Sequence, residues 1–372
     1  MTNTQISRQQ FIHGGAALLF APLGLQGCRA AGAPGSYEAA VGQTWRPSMG
    51  TFENAQALTR ELVRCACLAP NSHNTQAWKF RLEQSAISVL PDLARRTPVV
   101  DPDDHHLFVS LGCAIENMAH AALAFGLKAQ AQFDSGQNIV RIKLEPTQAL
   151  ASPLYRAITE RQSTRNLYDG KPLPAADLVL LESAGNSAAG VGVLLITAKP
   201  EIEKILSLIL EGNTAQMNDA AFVKELKQWL RFSGSQAAET GDGLYSAASG
   251  NPPLPPWLGS PMFDVMFRVS SENDKYAAQV RSSSGLAVFV SEADNKTHWI
   301  EAGRCYERFA LQATAMNIRN AMLNQAVEVP AVRQQLASLL GLTGGRPDLV
   351  VRFGRGAKML QSLRRPLDDV LV

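Results

Sequence analysis

The sequence predicts an α+β fold in which two sheet-and-helix halves are fused in tandem as a pseudodimer, with a lid inserted in the second. Three observations carry this. The chain has 372 residues, 46% hydrophobic and 18% charged, enough to bury a core larger than an ordinary single domain holds. Long apolar helical runs alternate with short strands. Two stretches of the first half recur, in the same order, in the second.

The chain opens with "SRQQFIHGGAALLFAPLGLQGC", in which one cation, Arg8, precedes an apolar run from Phe11 to Leu25 that is too short to span a bilayer. Residues 1–28 therefore read as an export signal. Gln9 stands where a twin-arginine signal has its second Arg, which leaves a Sec route open, and "LQGC" resembles a bacterial lipoprotein box with Cys28 as the lipidated residue. The alternative, a buried amphipathic helix, lacks a polar stripe. Residues 29–50, rich in Ala, Gly and Pro, read as a tether. The expected location is periplasmic, with membrane contact only through a lipid anchor.

The first half, residues 51–150, begins with a helix over Thr51–Ala69, followed by the turn "LAPNSHNTQAWKF" and strands at Trp78–Glu83 and Ala86–Leu90. After "DPDDHH", where Asp103 suits a helix N-cap, a long apolar helix runs to Gly126, and strands follow at Ala129–Phe133 and Ile139–Leu144. The second half, residues 151–372, repeats parts of this plan. "GCAIENMAHAALAFGL" from Gly112 matches "GRCYERFALQATAMNI" from Gly303 at both glycines, Glu116/Glu307, Ala119/Ala310, Ala122/Ala313 and Ala124/Ala315. "SAGNSAAGVGVLLI" (183–196) runs in register with "LAPNSHNTQAWKFR" (68–81), keeping Ala, Asn and Ser but losing the other amides and the Trp. Each half thus holds what the other lacks, as expected if a two-site ancestor was fused and one site abandoned. Residues 232–263, rich in Gly, Ser and Pro, read as an irregular but packed lid anchored by Leu244, Tyr245, Leu254, Trp257 and Leu258.

Several function classes are disfavoured. A net charge of +2 without clustered Lys and Arg argues against a nucleic-acid surface. The four cysteines beyond Cys28 show no CxxC spacing and fall in apolar helical runs, as buried thiols do. Adjacent residues of "DPDDHH" point in different directions, which argues against a metal site. "RSSSG" (281–285) lacks a nucleophile elbow.

Two motifs bear chemistry. Asn71, Asn74 and Gln76, with Ser72 and His73, crowd neutral donors and acceptors into one turn, a set suited to a planar heterocycle with carbonyl and ring-nitrogen groups. Arg161-x-Ser163-x-Arg165 offers two guanidiniums and a hydroxyl, suited to a phosphate monoester, and Arg364 and Arg365 add a second basic pair in "SLRRPLDDVLV". A phosphate at one end and a polar planar ring at the other describe flavin mononucleotide.

These motifs carry a resemblance. "APNSHNTQAWKF" resembles the nitroreductase signature A-P-S-S-x-N-x-Q-P-W, and "RQSTRNLY" resembles that family's R-x-S-x-R-x-F/Y. Over Thr51–Val372 the chain is similar to the fused two-half, Acg-type branch of nitroreductases. The resemblance implies a nitroreductase-like fold with one FMN at the seam. Arg161 and Ser163 would hold its phosphate, helped by Arg364 or Arg365. Arg165 would lie toward the ribityl chain and pyrimidine edge, and Asn71, Ser72, His73, Asn74 and Gln76 would approach from the other half. Ala77 and His73 depart from the signature, Ala77 replacing its Pro and loosening the turn. The implied activity is ping-pong hydride transfer through the flavin, from NAD(P)H or another donor to a small-molecule acceptor, with no catalytic side chain. The alternative is an FMN store whose lid covers the flavin. Because the pseudodimer is intramolecular, a monomer is expected.

Overall fold

The computed structural model describes residues 36–48 and 50–372; the expected export signal and Cys28 lie outside the described residues. In the first half, α1 (Tyr37–Thr44) and α2 (Ala55–Cys67) precede β1 (Trp78–Leu82), β2 (Ala86–Pro91), α3 (His105–Ala124), β3 (Leu127–Asp134) and β4 (Ile139–Pro146). Alternation builds this sheet: Val140, Ile142 and Leu144 are buried, while Arg141 and Lys143 between them are exposed. The strands pair antiparallel in the order β1-β2-β4-β3.

The second half comprises α4 (Pro153–Ala157), α5 (Ala175–Gly185), β5 (Val191–Ile196), α6 (Lys199–Met217), α7 (Ala220–Trp229), β6 (Leu230–Arg231), α8 (Gly234–Thr240), β7 (Leu244–Tyr245), α9 (Pro256–Met266), α10 (Val269–Arg281), β8 (Gly285–Ser291), α11 (Lys296–Ala315), β9 (Arg319–Met322), α12 (Gln325–Glu328), α13 (Pro330–Leu339) and β10 (Arg346–Gly354). Its main sheet, antiparallel in the order β5-β8-β10-β9, repeats the connectivity of the first: first strand, second, fourth, third. β8 and β10 are covered on both faces. Ala287, Phe289, Leu349, Val351 and Phe353 point into the core shared with α3 and α11, while Leu286, Val288 and Val350 meet Ile205, Ile209 and Leu336 of the outer helices. Double coverage is why β8 reads as a continuous apolar run, while β10 sets Leu349, Val350 and Val351 between Asp348 and Arg352. The architecture is the α+β, two-half arrangement expected from the sequence.

The halves are joined where α3 crosses α11 at Gly112 and Gly303, the two glycines aligned by the repeat. The C-terminal tail then returns across the first half. Phe80 N–H donates to the Val370 carbonyl at 2.8 Å and Val372 N–H to the Phe80 carbonyl at 3.0 Å, adding an outer strand beside β1.

Four details differ from the sequence reading. Part of the expected tether is folded: Ser36 caps α1, Tyr37 Oη donates to the Gln361 carbonyl at 2.6 Å, and Trp45 Nε1 to that of Ser362 at 2.8 Å. Two aromatic side chains with buried acceptors outweigh a composition typical of linkers. The first long helix starts at Ala55, because Asn54 rather than a residue near Thr51 caps it. The lid segment is regular over much of its length: Ser233 caps α8, Gly241 ends it in the left-handed region (φ 62°), and Pro256 opens α9 at a position where its missing N–H costs nothing. Finally, Asp103 shares the start of α3 with Asp101: Asp103 accepts the His105 N–H at 3.4 Å, and Asp101 accepts those of His106 and Leu107, both at 3.0 Å.

Candidate functional site

The turn that follows α2 is held in a backbone rarely used by side-chain-bearing residues. His73, Asn74 and Gln76 have φ of 47°, 55° and 53°, and such a cluster of left-handed residues persists only where its surroundings over-determine it. Asn71 Oδ1 accepts the Gln76 N–H at 2.8 Å, and Thr75 N–H bonds the Ser72 carbonyl at 2.9 Å. Asn74 Nδ2 donates to the carbonyls of Gly243 (3.1 Å) and Leu363 (3.2 Å). Gln76 Nε2 donates to Gly241 (2.9 Å), and its Oε1 accepts the Arg365 N–H (2.8 Å). Asn74 and Gln76 therefore fasten the turn between the lid and the tail. Asn71, Ser72 and His73 are left facing a cavity.

That cavity, about 480 Å³, lies at the seam. Its polar wall is formed by Asn71, Ser72 and His73 of the first half with Arg165, Lys275 and Asn324 of the second; Phe222, Leu230, Phe232, Met262 and Phe267 of α7 and the lid region line its apolar side. The His73 ring is buried and its Nδ1 has no hydrogen-bond partner. Burial, with lesser contributions from His106 and Arg165, pulls its pKa down to about 4, so the ring is neutral and can bond a ligand without adding charge. Arg165 is held by its backbone: its carbonyl accepts from Gln279 Nε2 at 2.7 Å, while burial lowers the guanidinium's pKa and no carboxylate among the described residues pairs with it. Arg352, buried in β10 and stacked 3.9 Å from the Tyr168 ring, donates to the Thr164 carbonyl at 3.0 Å and to that of Asn166. It positions the Arg165 segment. A lone Arg in an apolar strand offered no sequence signal for that role; nor did His106, Lys275 and Glu328, which reach the cavity from elements far apart in the chain.

The other basic residues form a second cluster beside the turn and do not line the cavity. Arg161 Nη2 and Arg364 Nη2 both donate to the Leu68 carbonyl, at 2.9 and 3.0 Å; Arg364 also bonds the carbonyls of Cys67 (2.6 Å) and Ala69 (3.0 Å). They complement the C-terminal end of α2, where cations are favoured. Glu307 is the carboxylate beside them, 3.3 Å from Arg161 Nε. Burial outweighs Arg161 there and pushes Glu307 up to about 8, while burial and then Arg161 pull Arg364 down to about 9. Arg161 Nε and Nη1 have no hydrogen-bond partner. Ser163 pairs through its backbone with Asn320, and Arg365 bonds the Gln76 and Asp369 carbonyls, so neither reaches the cavity. The structure thus brings Asn71, Ser72, His73 and Arg165 together. Arg161 and Arg364 gather behind them, and Asn74, Gln76, Ser163 and Arg365 serve as supports.

Among curated proteins, two from Mycobacterium tuberculosis match both halves. One bears the provisional name NAD(P)H nitroreductase Rv3131 and is 25% identical over 315 residues, 82% of this chain and 86% of its own. The other, provisionally NAD(P)H nitroreductase acg, is 23% identical over 331 residues, 84% and 94%. The chain is similar to nitroreductases. No family model matches it. Among solved structures, a nitroreductase with bound FMN from Bacteroides fragilis is 17% identical with a TM-score of 0.36, covering 58% of this chain and 95% of its own. The FMN-dependent nitroreductase NfnB from Mycobacterium smegmatis, in complex with NADPH, is 10% identical with a TM-score of 0.37, covering 58% and 96%.

Proposed function

We propose that the chain is an FMN-binding oxidoreductase of the nitroreductase type that takes electrons from NAD(P)H or another donor and passes them to a small-molecule acceptor. The observation that carries this reading is a surplus of positive charge. Arg161, Arg165 and Arg364 converge on one turn, and the carboxyl beside them, Glu307, is held toward its neutral form by burial. Buried guanidiniums without counter-charge are costly, and the phosphate monoester of a ligand in the adjoining cavity would supply negative charge. The residues that line the cavity, Arg165, Asn71, Ser72 and His73, fit the polar ring of FMN, and Arg161 and Arg364, behind the turn, would act on its phosphate by charge rather than by contact.

Bound FMN supplies reversible two-electron chemistry. The chain's residues bind, orient and exclude water. Arg165 would set positive charge beside the bound ring, and neutral His73 would offer it a hydrogen bond without adding charge. The lid side of the cavity carries Phe232, Leu244, Leu254, Met262 and Phe263 beside Ser246, Ser249 and Asn251, an apolar majority that would limit the access of water to the ring. One cavity of this size favours donor and acceptor entering in turn, the ping-pong order. The names borne by the curated relatives agree with an NAD(P)H donor.

The lid's fastening to Asn74 and Gln76 favours a second reading, an FMN store with little turnover. One experiment separates the two. Purified protein is titrated with FMN and reduced anaerobically with NADPH or NADH. Bleaching followed by reoxidation with an added acceptor supports the enzyme, binding without bleaching supports the store, and absence of FMN binding refutes both. Export with lipidation of Cys28 rests on the N-terminal pattern alone; mass spectrometry of the mature N-terminus tests it, and recovery with Met1 intact would refute it.

A further inference from the structure

We propose that His106 and Glu328 form a proton-delivery pair that serves the ligand cavity from a second cavity behind it; the inference rests on the oxidoreductase reading above. The second cavity, about 240 Å³, is lined by Asp101, Asp103, His105, Arg333 and Arg346, and His106 and Glu328 line both cavities. The pair spans the seam. His106 stands in the first turn of α3 and Glu328 ends α12, with His106 Nε2 3.5 Å from Glu328 Oε1. Glu328 is oriented by a side-chain bond, and His106 is anchored through its backbone. Gln216 Nε2 donates to Glu328 Oε2 at 2.6 Å, leaving Oε1 toward the imidazole, and the His106 N–H donates to Asp101 Oδ1 at 3.0 Å.

Their surroundings suit transfer rather than a fixed ion pair. Burial pulls His106 below the usual imidazole range; Glu328 and Asp103 oppose this, and Arg346 and Arg333 add to it. Burial pushes Glu328 above the usual carboxyl range, with His106 and the Gln216 bond opposing and Asp101 adding. His73 faces His106 from the turn, the His105 ring lies 4.7 Å away, and Lys275 and Glu272 of α10 complete the charged lining of the first cavity. Burial thus shifts both members toward their neutral forms, which raises the share of Glu328 that carries a proton within reach of the imidazole.

An acceptor that receives a hydride, two electrons and one proton originating from the NAD(P)H-class donor, gains one negative charge. Glu328 neutralises it: its O–H bond breaks as the acceptor's O–H forms. His106 then returns a proton from Nε2 to the carboxylate while taking one from water of the second cavity. The balance is one hydride and one proton added to the acceptor, and one proton drawn from solvent.

The test uses the full chain loaded with FMN, photoreduced so that no nicotinamide is needed, and mixed with benzoquinone. Glu328→Gln keeps an oxygen for Gln216 but cannot ionise; His106→Gln removes the relay. In both variants FMN occupancy should stay at the wild-type level, while reoxidation slows by roughly a hundredfold and its solvent deuterium isotope effect changes. In histidine-labelled protein, the NMR titration midpoint of His106 should move down in Glu328→Gln, because the ionised fraction of Glu328, which holds it up, is gone. Wild-type reoxidation rates at full occupancy would overturn the inference, as would an unmoved His106 midpoint. A wild-type chain that binds no FMN would refute the functional reading instead, and the pair would be judged on the midpoint alone.

Discussion

Gly112 and Gly303 face each other across the crossing of α3 and α11, each standing where a side chain would strike the other helix. A Cβ on Gly112 would lie 2.0 Å from the Ile300 carbonyl oxygen, and one on Gly303 1.9 Å from that of Val109. Ile300 precedes Gly303 by three residues, as Val109 precedes Gly112. The contact is reciprocal, as a two-fold relation between duplicated halves requires. Either glycine changed to alanine should destabilise the chain by about 1–3 kcal/mol, because backbone on both sides must separate. Once separated, the helices accommodate the second methyl, so the double variant should cost less than the sum. Chemical denaturation of the three variants checks this; additive costs would show that the crossing is not shared.

The duplication also predicts opposite pH behaviour at aligned carboxylates. Glu116 is buried, which alone would raise its pKa, but His120, Arg308 and Arg304 outweigh burial and hold it at about 2 against an ordinary 4.5. Its contribution to stability is present above pH 4.5 and is lost as pH falls toward 2. Glu307 is pushed by burial to about 8, so its contribution is present below 4.5 and is lost as pH rises through 8. Glu116→Gln should therefore cost on the order of 3 kcal/mol at neutral pH and little in strong acid. Glu307→Gln should be near neutral in mild acid and stabilising in alkali. Denaturation midpoints across pH decide it; parallel profiles for the two variants would refute the assignment.

Much of the fold was legible because period-two alternation and apolar helices survive in β1 to β4 and α3. The duplication was legible at Gly112 and Gly303 because their reciprocal contact tolerates no side chain. The site was legible in part. Asn71 has one role in both halves, since Asn186 accepts the Val193 N–H at 2.9 Å as Asn71 accepts that of Gln76 at 2.8 Å; the match is two residues longer in the second half than a gapless register allows. The partners of Asn74 and Gln76 lie 165 to 289 residues away, so side chains that support the turn could not be told from side chains that line a cavity. Asp103 illustrates the same limit at short range: three acids precede α3, and only loop geometry gives Asp103 the N–H of His105 and Asp101 those of His106 and Leu107.

One site rather than two is expected from how the halves treat their arginines. Arg161 lies beside Glu307 and bonds Leu68 at the end of α2; Arg308 lies 3.2 Å from Glu116 and bonds Ala184 at 3.3 Å near the end of α5. The second arrangement is neutralised, because Glu116 stays ionised between Arg304 and Arg308, whereas the first retains surplus charge. Arg161→Ala should weaken FMN binding by roughly ten- to a hundredfold, the loss of a buried positive charge behind the turn, while Arg308→Ala leaves it unchanged. Equal losses in a titration, or two FMN per chain, would refute the single-site reading.

The lid should be released at Asp242. This carboxylate sits between Arg95 of the first half and Arg231 at the lid's base, bonded to Arg95 Nη2 and, at 2.5 Å, to Arg231 Nη2; Arg95 also covers the Trp229 ring at 5.2 Å. Burial alone would raise its pKa, yet the bonds from Arg231 and Arg95 win and hold it below the ordinary 3.8. The fastening therefore persists at neutral pH and fails only in acid, as Asp242 takes up a proton. Asp242→Asn removes the charge at all pH values, leaving Asn74 and Gln76 as the remaining ties to Gly243 and Gly241. Limited proteolysis within residues 232–263 should then be at least several-fold faster than in the wild type, with little change in global stability because the lid contributes little to the two large cores. If FMN lies beneath, its release should speed up by a similar factor. Unchanged cleavage with the same global stability would show that the lid is held by its apolar packing and not by this carboxylate.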